Sequence, residues 1–191
     1  MKIIICPLDW GWGHATRVIP IIKKCTELGH DVWIGGSGSS GRLLKKEFPE
    51  LTYIHLPGYN MKYSRYNSQI FAILFQLPLF FYSLIREHLS IKRLMKRHRF
   101  DLVISDNRYN TRCKNAYNVF ITHQLNVIFP KPVKVFGAFF HFLQHKMVKK
   151  FDEIWLPDEK IHMNISGALS DTTRHRGKMY EIGLLSRFSK T

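Results

Sequence analysis

Short apolar runs alternate with amphipathic helical segments along most of the chain, and this alternation constrains the fold more than any other feature. The first apolar runs are Lys2 to Cys6, Asp31 to Ile34 and Thr52 to Leu56, each followed closely by glycine or proline. Between them, His14 to Leu28 and Ser40 to Phe48 have the apolar spacing of helices. Continuous apolar strands separated by helices are typical of a parallel sheet that is covered on both faces.

The second half of the chain continues this pattern. It predicts a long helix from Asn67 to Arg99 that bends at Pro78, and a further helix from Val133 to Lys150. The remaining predicted strands are Asp101 to Ser105, Tyr117 to Thr122, Asp152 to Leu156 and Met179 to Ile182. We therefore predict an α/β fold with a doubly wound parallel sheet, helices on both faces and strand order 3-2-1-4-5.

Two loops are the expected ligand site of such a sheet. Strands one and four are neighbours in the predicted order, and ligands bind beyond the carboxyl ends of strands at this switch point. The corresponding loops are Pro7 to Thr16 and Ser105 to Asn110.

The first of these loops is rich in glycine but matches neither common nucleotide-binding fingerprint. Gly11 and Gly13 allow a close approach of a ligand to the backbone, and the helix start that follows suits a phosphate. The third glycine of the dinucleotide motif is absent, and Gly35-Gly36 stands where an acidic residue would end strand two. A lysine followed by serine or threonine is also missing, which excludes a P-loop. The loop therefore disfavours a nicotinamide or flavin dehydrogenase.

His14 and Asp106 are the candidate catalytic residues. An imidazole titrates near neutral pH and can remove a proton from a hydroxyl nucleophile. Such a base needs an orienting carboxylate, and Asp106 follows the strand predicted to lie beside strand one. The alternatives are a histidine that closes a turn beside Trp12 and an aspartate that caps a helix.

Several segments together resemble the N-terminal half of GT-B glycosyltransferases, in particular the bacterial family 28 group around the peptidoglycan N-acetylglucosaminyltransferase. The resemblance rests first on Gly11 to Arg17, Glu27 to Val32 and Ser105 to Tyr109. It extends over essentially the whole chain through Leu56 to Asn60, Phe120 to Leu125, Asn164 to Gly167 and Ile182 to Phe188.

The resemblance implies two Rossmann-like domains that face each other across a cleft. The N-terminal domain would bind a sugar or lipid-linked acceptor, and the C-terminal domain would bind the nucleotide-sugar donor. His14 would be the base and Asp106 its orienting acid in an inverting transfer that needs no cofactor and no metal. Trp10 and Trp12 depart from the small residues of the peptidoglycan enzyme. The other residues that could contact acceptor or phosphate, or act as ordinary loop and cap residues, are Gly11, Trp12, Gly13, Thr16, Arg17, Asn107, Arg108 and His123.

The length of 191 residues matches one such domain. We assign residues 1–185 to the acceptor-binding domain and 186–191 to the start of a hinge, and expect no transferase activity from the chain alone. Two rival hypotheses are a non-catalytic subunit that recruits a separate donor-binding protein to the membrane, and half of a GT-B nucleotide-sugar epimerase.

The charge is strongly positive, with 29 Lys and Arg against 14 Asp and Glu. Part of it follows the uncharged stretch Tyr66 to Ile85, because Arg86 to Arg99 carries six basic residues and one acidic residue. An apolar surface beside a basic one fits an anionic membrane, with Lys146, Lys149 and Lys150 as a second basic cluster. A core helix with a solvated tail is the alternative. No nucleic-acid-binding module is visible.

The cysteines and the N-terminus indicate a cytoplasmic protein, with the inner face of the cytoplasmic membrane as an alternative location. Cys6, Cys25 and Cys113 lie far apart without a CxxC pair, which predicts reduced thiols and no zinc site. The first apolar run is too short for a signal peptide. Gln76 and Pro78 interrupt the longest apolar stretch, which disfavours a membrane span.

Overall fold

A computed structural model describes residues 1–58, 69–122, 134–157 and 178–185. Its strands are β1 (Lys2–Pro7), β2 (Asp31–Gly36), β3 (Thr52–His55), β4 (Leu102–Asp106), β5 (Tyr117–Ile121), β6 (Glu153–Leu156) and β7 (Met179–Glu181). Its helices are α1 (Trp12–Glu27), α2 (Gly38–Glu47), α3 (Gln69–Arg97) and α4 (Lys134–Val148).

The strands form one sheet in the order β3-β2-β1-β4-β5-β6-β7, and every neighbouring pair is parallel. The predicted α/β class and the predicted order of the first five strands are therefore confirmed. β1 pairs with β2 on one side and with β4 on the other, so the chain reverses its direction of growth at β1. This reversal is the switch point at which ligands bind in such sheets.

Both faces of the sheet are covered, and the alternation of side chains along β1 shows how. Ile3 and Ile5 belong to a buried cluster with residues of α1 and α2, whereas Ile4 and Cys6 pack with Ile91 of α3 on the other face. A strand buried on both faces must be continuously apolar, which is the pattern seen in the sequence. α4 packs on the same face as α3, through a cluster that includes Phe120 and Val148.

The helix boundaries differ from the predicted ones by a few residues. α1 begins at Trp12 rather than His14, because Gly11 with φ of 80° is the residue that turns the chain into the helix. α3 continues through Pro78 and ends at Arg97. No helix within the described residues is long and apolar enough to cross a membrane.

Candidate active site

The carboxyl ends of β1 and β4 lie side by side and hold the candidate site. Pro7 is in register with Asp106, and the amide of Leu8 donates to the Asp106 carbonyl at 3.0 Å. The loop after β1 and the loop after β4 therefore start from the same point of the sheet edge. The sequence predicted this juxtaposition from strand order alone.

The loop after β1 leads into a helix start that no side chain caps. The N-cap residue of α1 is Gly11, so no side chain at this position caps the helix, and the first turn of α1 has no acidic residue. A side chain added at Gly13 would meet no atom within 4 Å, so this turn faces open space. The indole of Trp12 is 68% exposed next to it. Free amide groups and the positive end of the helix dipole make such a turn attractive to an anion.

His14 and Arg17 both bond the buried carboxylate of Asp106. His14 Nδ1 lies 2.9 Å from Asp106 Oδ2, and Arg17 Nη2 lies 2.8 Å from Asp106 Oδ1. The two residues reach it together because positions three apart on α1 share one face of the helix. The Asp106 side chain has no exposed surface, whereas the His14 side chain is 14% exposed.

His14 Nδ1 has two neighbours that require different tautomers. A carboxylate only accepts hydrogen bonds, so the contact with Asp106 requires a hydrogen on Nδ1. A guanidinium only donates, so the 2.6 Å contact with Arg17 Nη2 requires a lone pair on the same nitrogen. In the tautomer with Nδ1–H, Arg17 donates to Asp106 Oδ1 alone and the lone pair of the ring lies on Nε2. His14, Asp106 and Arg17 thus form one hydrogen-bonded cluster with the geometry of an imidazole oriented by a carboxylate.

A second buried carboxylate, Asp9, occupies the start of α2. The amide of Ser40 donates to Asp9 Oδ1 at 3.0 Å, and the hydroxyls of Ser37 and Ser39 lie 3.4 Å from its oxygens. Gly38 makes the approach possible, since a Cβ there would lie 1.7 Å from Asp9 Oδ2 and φ is 54°. Asp9 was not among the predicted site residues.

The same contact ties α2 to the glycine-rich loop. Ser40 Oγ lies 3.1 Å from the carbonyl oxygen of Leu8 and 2.8 Å from that of Gly11. These bonds fix the path of the loop on both sides of Asp9. The run of glycine and serine after β2 could have predicted this close packing of α2 against the glycine-rich loop, because small residues allow two backbones to approach each other.

Arg108 lies in the interior rather than at the mouth of the site. It pairs with Glu87 of α3, and its Nη2 donates to the carbonyl of Pro57 at 2.9 Å. Thr111 also donates to Glu87, at 3.1 Å. Arg108 is only 2% exposed, and its described contacts hold the loops after β3 and β4 against α3. Its contact with a ligand stays a prediction.

The remaining predicted residues have different surroundings. Thr16 donates its hydroxyl to the carbonyl of Gly13 within the first turn of α1. Asn107 follows Asp106 with φ of 54°, and its buried side-chain oxygen has no hydrogen-bond partner among the described residues. His123 lies outside the described residues. Glycines 11 and 13 and Trp12 form the open turn beside His14.

No group of three metal-binding side chains occurs within the described parts of the chain. All three cysteines are free thiols. Burial raises the pKa of Cys6 to about 12, and this thiol packs under the sheet edge on the face of α3. A thiol held in its protonated form is a poor nucleophile, so Cys6 is a core residue.

No protein-family model matches the chain, and no curated protein matches its sequence. Solved structures do match its fold. The SsfS6 glycosyltransferase of Streptomyces sp. SF2575 has a TM-score of 0.51 at 13% identity, covering 82% of this chain and 51% of that one. The glycotransferase of kitacinnamycin gives 0.54 at 11% identity, with 82% and 45% covered.

The spinosyn rhamnosyltransferase SpnG, solved with spinosyn aglycone, has a TM-score of 0.53 at 14% identity, covering 82% of this chain and 45% of SpnG. The chain thus spans about half the length of these structures. At such low identities the likeness concerns the fold. This chain has the α/β fold of the GT-B glycosyltransferases, consistent with their N-terminal half.

Proposed function

We propose that the chain is the acceptor-binding half of an inverting glycosyltransferase that moves a sugar from a nucleotide-sugar donor to a hydroxyl acceptor. The observation that carries this proposal is the His14–Asp106 contact of 2.9 Å beside the open start of α1. The fold comparisons support the enzyme class. The donor would be bound by a second domain, which the coverage of about half of each similar structure supports.

In this proposal His14 Nε2 accepts the proton of the acceptor hydroxyl. The oxygen attacks the anomeric carbon as the bond to the nucleotide breaks, and the nucleotide leaves with that electron pair from the opposite side. The configuration at the anomeric carbon is therefore inverted. Asp106 stabilises the imidazolium that forms, and Arg17 balances the carboxylate in the resting state.

The open turn of α1 is the proposed place for the acceptor. Gly11 and Gly13 leave space for a ligand, and the exposed indole of Trp12 offers a flat face on which a sugar ring can pack. The amides of the turn would bind an acceptor oxygen or phosphate.

The test is His14→Ala in the chain joined or mixed with its donor-binding half. We expect turnover to fall by about 10²–10⁴-fold, the usual contribution of a general base. His30→Ala is the control. His30 directly precedes β2, at the amino ends of the strands, whereas the candidate site lies at their carboxyl ends. Unchanged turnover in His14→Ala would remove it as the base and favour a non-catalytic recruiting subunit. Nucleotide-sugar turnover by the 191 residues alone would contradict the half-enzyme proposal.

We further propose that α3 rests on an anionic membrane that carries the acceptor, at the inner face of the cytoplasmic membrane. The side chains of Leu79, Tyr82, Ile85 and Leu89 are 59%, 59%, 59% and 45% exposed on this helix. The exposed basic residues Arg86, Lys92 and Lys96 lie on the same helix. Apolar residues beside cations are typical of helices that lie in a membrane interface.

Liposome sedimentation tests this partner. We expect binding to vesicles with anionic lipid that weakens with added salt, and weaker binding by the variant Tyr82→Ser/Leu89→Ser. Equal behaviour towards neutral and anionic vesicles would contradict the proposal.

A further inference from the structure

A shallow cavity of about 460 Å³ that opens widely to solvent lies between the edge strand β3 and helix α3. Its apolar wall consists of Ile54, Leu56 and Leu94. Leu56 and Leu94 belong to the buried cluster on the α3 face of the sheet, which gives the cavity a firm floor. β2 and β1 separate β3 from β4, so the cavity is distinct from the His14–Asp106 site.

The polar residues around this cavity are basic or neutral. His55 comes from β3, while Ser90, Arg93, Arg97 and His98 come from α3 and the residue after it. Among the described residues, no carboxylate lines the cavity. Two guanidinium groups without a carboxylate beside them in the lining create a local positive potential, which only an anion would offset.

The spacing of these residues makes the rim a coherent surface. Positions 90, 93 and 97 are three and four apart, so their side chains point to one face of α3. His98 is held by a tilted ring contact with Trp33, with 4.7 Å between the centroids. A fixed imidazole and two arginines on one face can surround a single anionic group. Arginine in particular pairs with phosphate through two parallel hydrogen bonds.

We infer that this cavity binds the phosphate group of an amphiphilic phosphate ester, with Arg93 and Arg97 on the phosphate and the apolar floor under the organic part. Either an anionic phospholipid or a soluble organic phosphate has this chemistry. The inference rests on the cavity and does not depend on the transferase activity proposed above.

Titrations of the chain with dihexanoyl phosphatidic acid, kept below its micelle concentration, and with glycerol 3-phosphate test it. NMR signals of the His55 and His98 rings report binding. We expect a saturable shift with at least one of the two probes, and an affinity about tenfold lower in Arg93→Ala/Arg97→Ala. Both arginines are exposed, so the variant should keep its fold, which an unchanged melting curve would verify.

Lys149→Ala/Lys150→Ala is the matched control, since it removes the same charge from the exposed turn that follows α4. We expect it to bind both probes like the unmodified chain. Saturation by the lipid alone assigns the site to a phospholipid, and saturation by glycerol 3-phosphate assigns it to a soluble ester. Absence of a saturable shift with both probes, or an equal loss of affinity in the control, would overturn the inference. The membrane-face variant Tyr82→Ser/Leu89→Ser should leave these shifts unchanged, which separates this site from the membrane proposal.

Discussion

Asp106 and Asp9 are two buried carboxylates at the same edge of the sheet, and they are used in opposite ways. The Asp9 carboxylate is used in hydrogen bonds within the fold. It accepts from the amide of Ser40 and from the hydroxyls of Ser37 and Ser39 at the start of α2. Asp106 instead contacts the side chains of His14 and Arg17, and His14 is the residue that we propose as the base. The start of α2 is thus filled by the protein itself, while the start of α1 is open. This contrast is why we propose the start of α1, and not that of α2, as the place for a ligand.

The largest expected effect is that of Asp106→Asn on turnover. The amide can hold His14 in the wrong tautomer and cannot stabilise the imidazolium, so we expect a loss of about 10²–10⁴-fold in kcat. Steady-state kinetics with the donor-binding half present would measure it. Asp9→Asn is the matched control, and a comparable loss in kcat there would erase the distinction between the two carboxylates.

Asp9→Ala is expected to act on stability. It removes the group that accepts from the amide of Ser40, and losing such a cap destabilises a protein by about 1–2 kcal/mol. Urea unfolding followed by circular dichroism would measure the change in the free energy of unfolding. Asp9→Asn should retain most of that free energy, since Asn is also a good cap. A fully stable Asp9→Ala variant would show that α2 does not need its internal anion.

Two glycine substitutions should separate the filled helix start from the open one. Gly38→Ala places a Cβ against Asp9 at a residue with φ of 54°, which should cost about 1–3 kcal/mol. Gly13→Ala meets open space inside α1 and should be neutral or stabilising by up to about 1 kcal/mol. Thermal unfolding of both variants tests this. The comparison fails if Gly13→Ala is the more damaging change.

A smaller effect, on the pH dependence of stability, is expected from Cys6. This residue lies on β1 and belongs to neither the Asp9 nor the Asp106 hydrogen-bond network. Its pKa is raised to about 12 in the fold, from 9.0 without burial. Above pH 9 the unfolded chain releases this proton while the folded chain keeps it, so stability falls as pH rises from 9 towards 12. The slope contributed is at most about 1.4 kcal/mol per pH unit.

Urea unfolding at pH 8 and pH 10 would show this loss. Cys6→Ala should lose less stability between the two pH values than the unmodified chain. Identical losses in both proteins would mean that the Cys6 thiol does not stay protonated in the fold.

The sequence was sufficient to predict the order of the first five strands and the meeting of His14 with Asp106, because both follow from apolar runs and the rule for doubly wound sheets. It did not reveal Asp9 or Glu87. Asp9 bonds a residue 31 positions away, and Glu87 pairs with Arg108 across 21 positions. No local periodicity encodes such pairs. Glu87 looked like one acid in a basic, solvated stretch, and only the packing of α3 shows that it is buried.

Arg17 illustrates the same limit within the candidate site. The sequence left two roles open for Arg17, contact with acceptor or phosphate and an ordinary loop or cap position, and the structure shows it bonded to Asp106. The sequence places a cation near the site but cannot choose between a ligand and a carboxylate as its partner. That choice depends on how deep the Asp106 side chain lies.

The most direct test of the account is a double-mutant cycle for kcat with His14→Ala, Asp106→Asn and the combined variant, assayed with the donor-binding half present. If Asp106 acts through His14, the combined variant should be no slower than His14→Ala alone. Losses that simply multiply would contradict a base held by its orienting acid, as would full activity in His14→Ala.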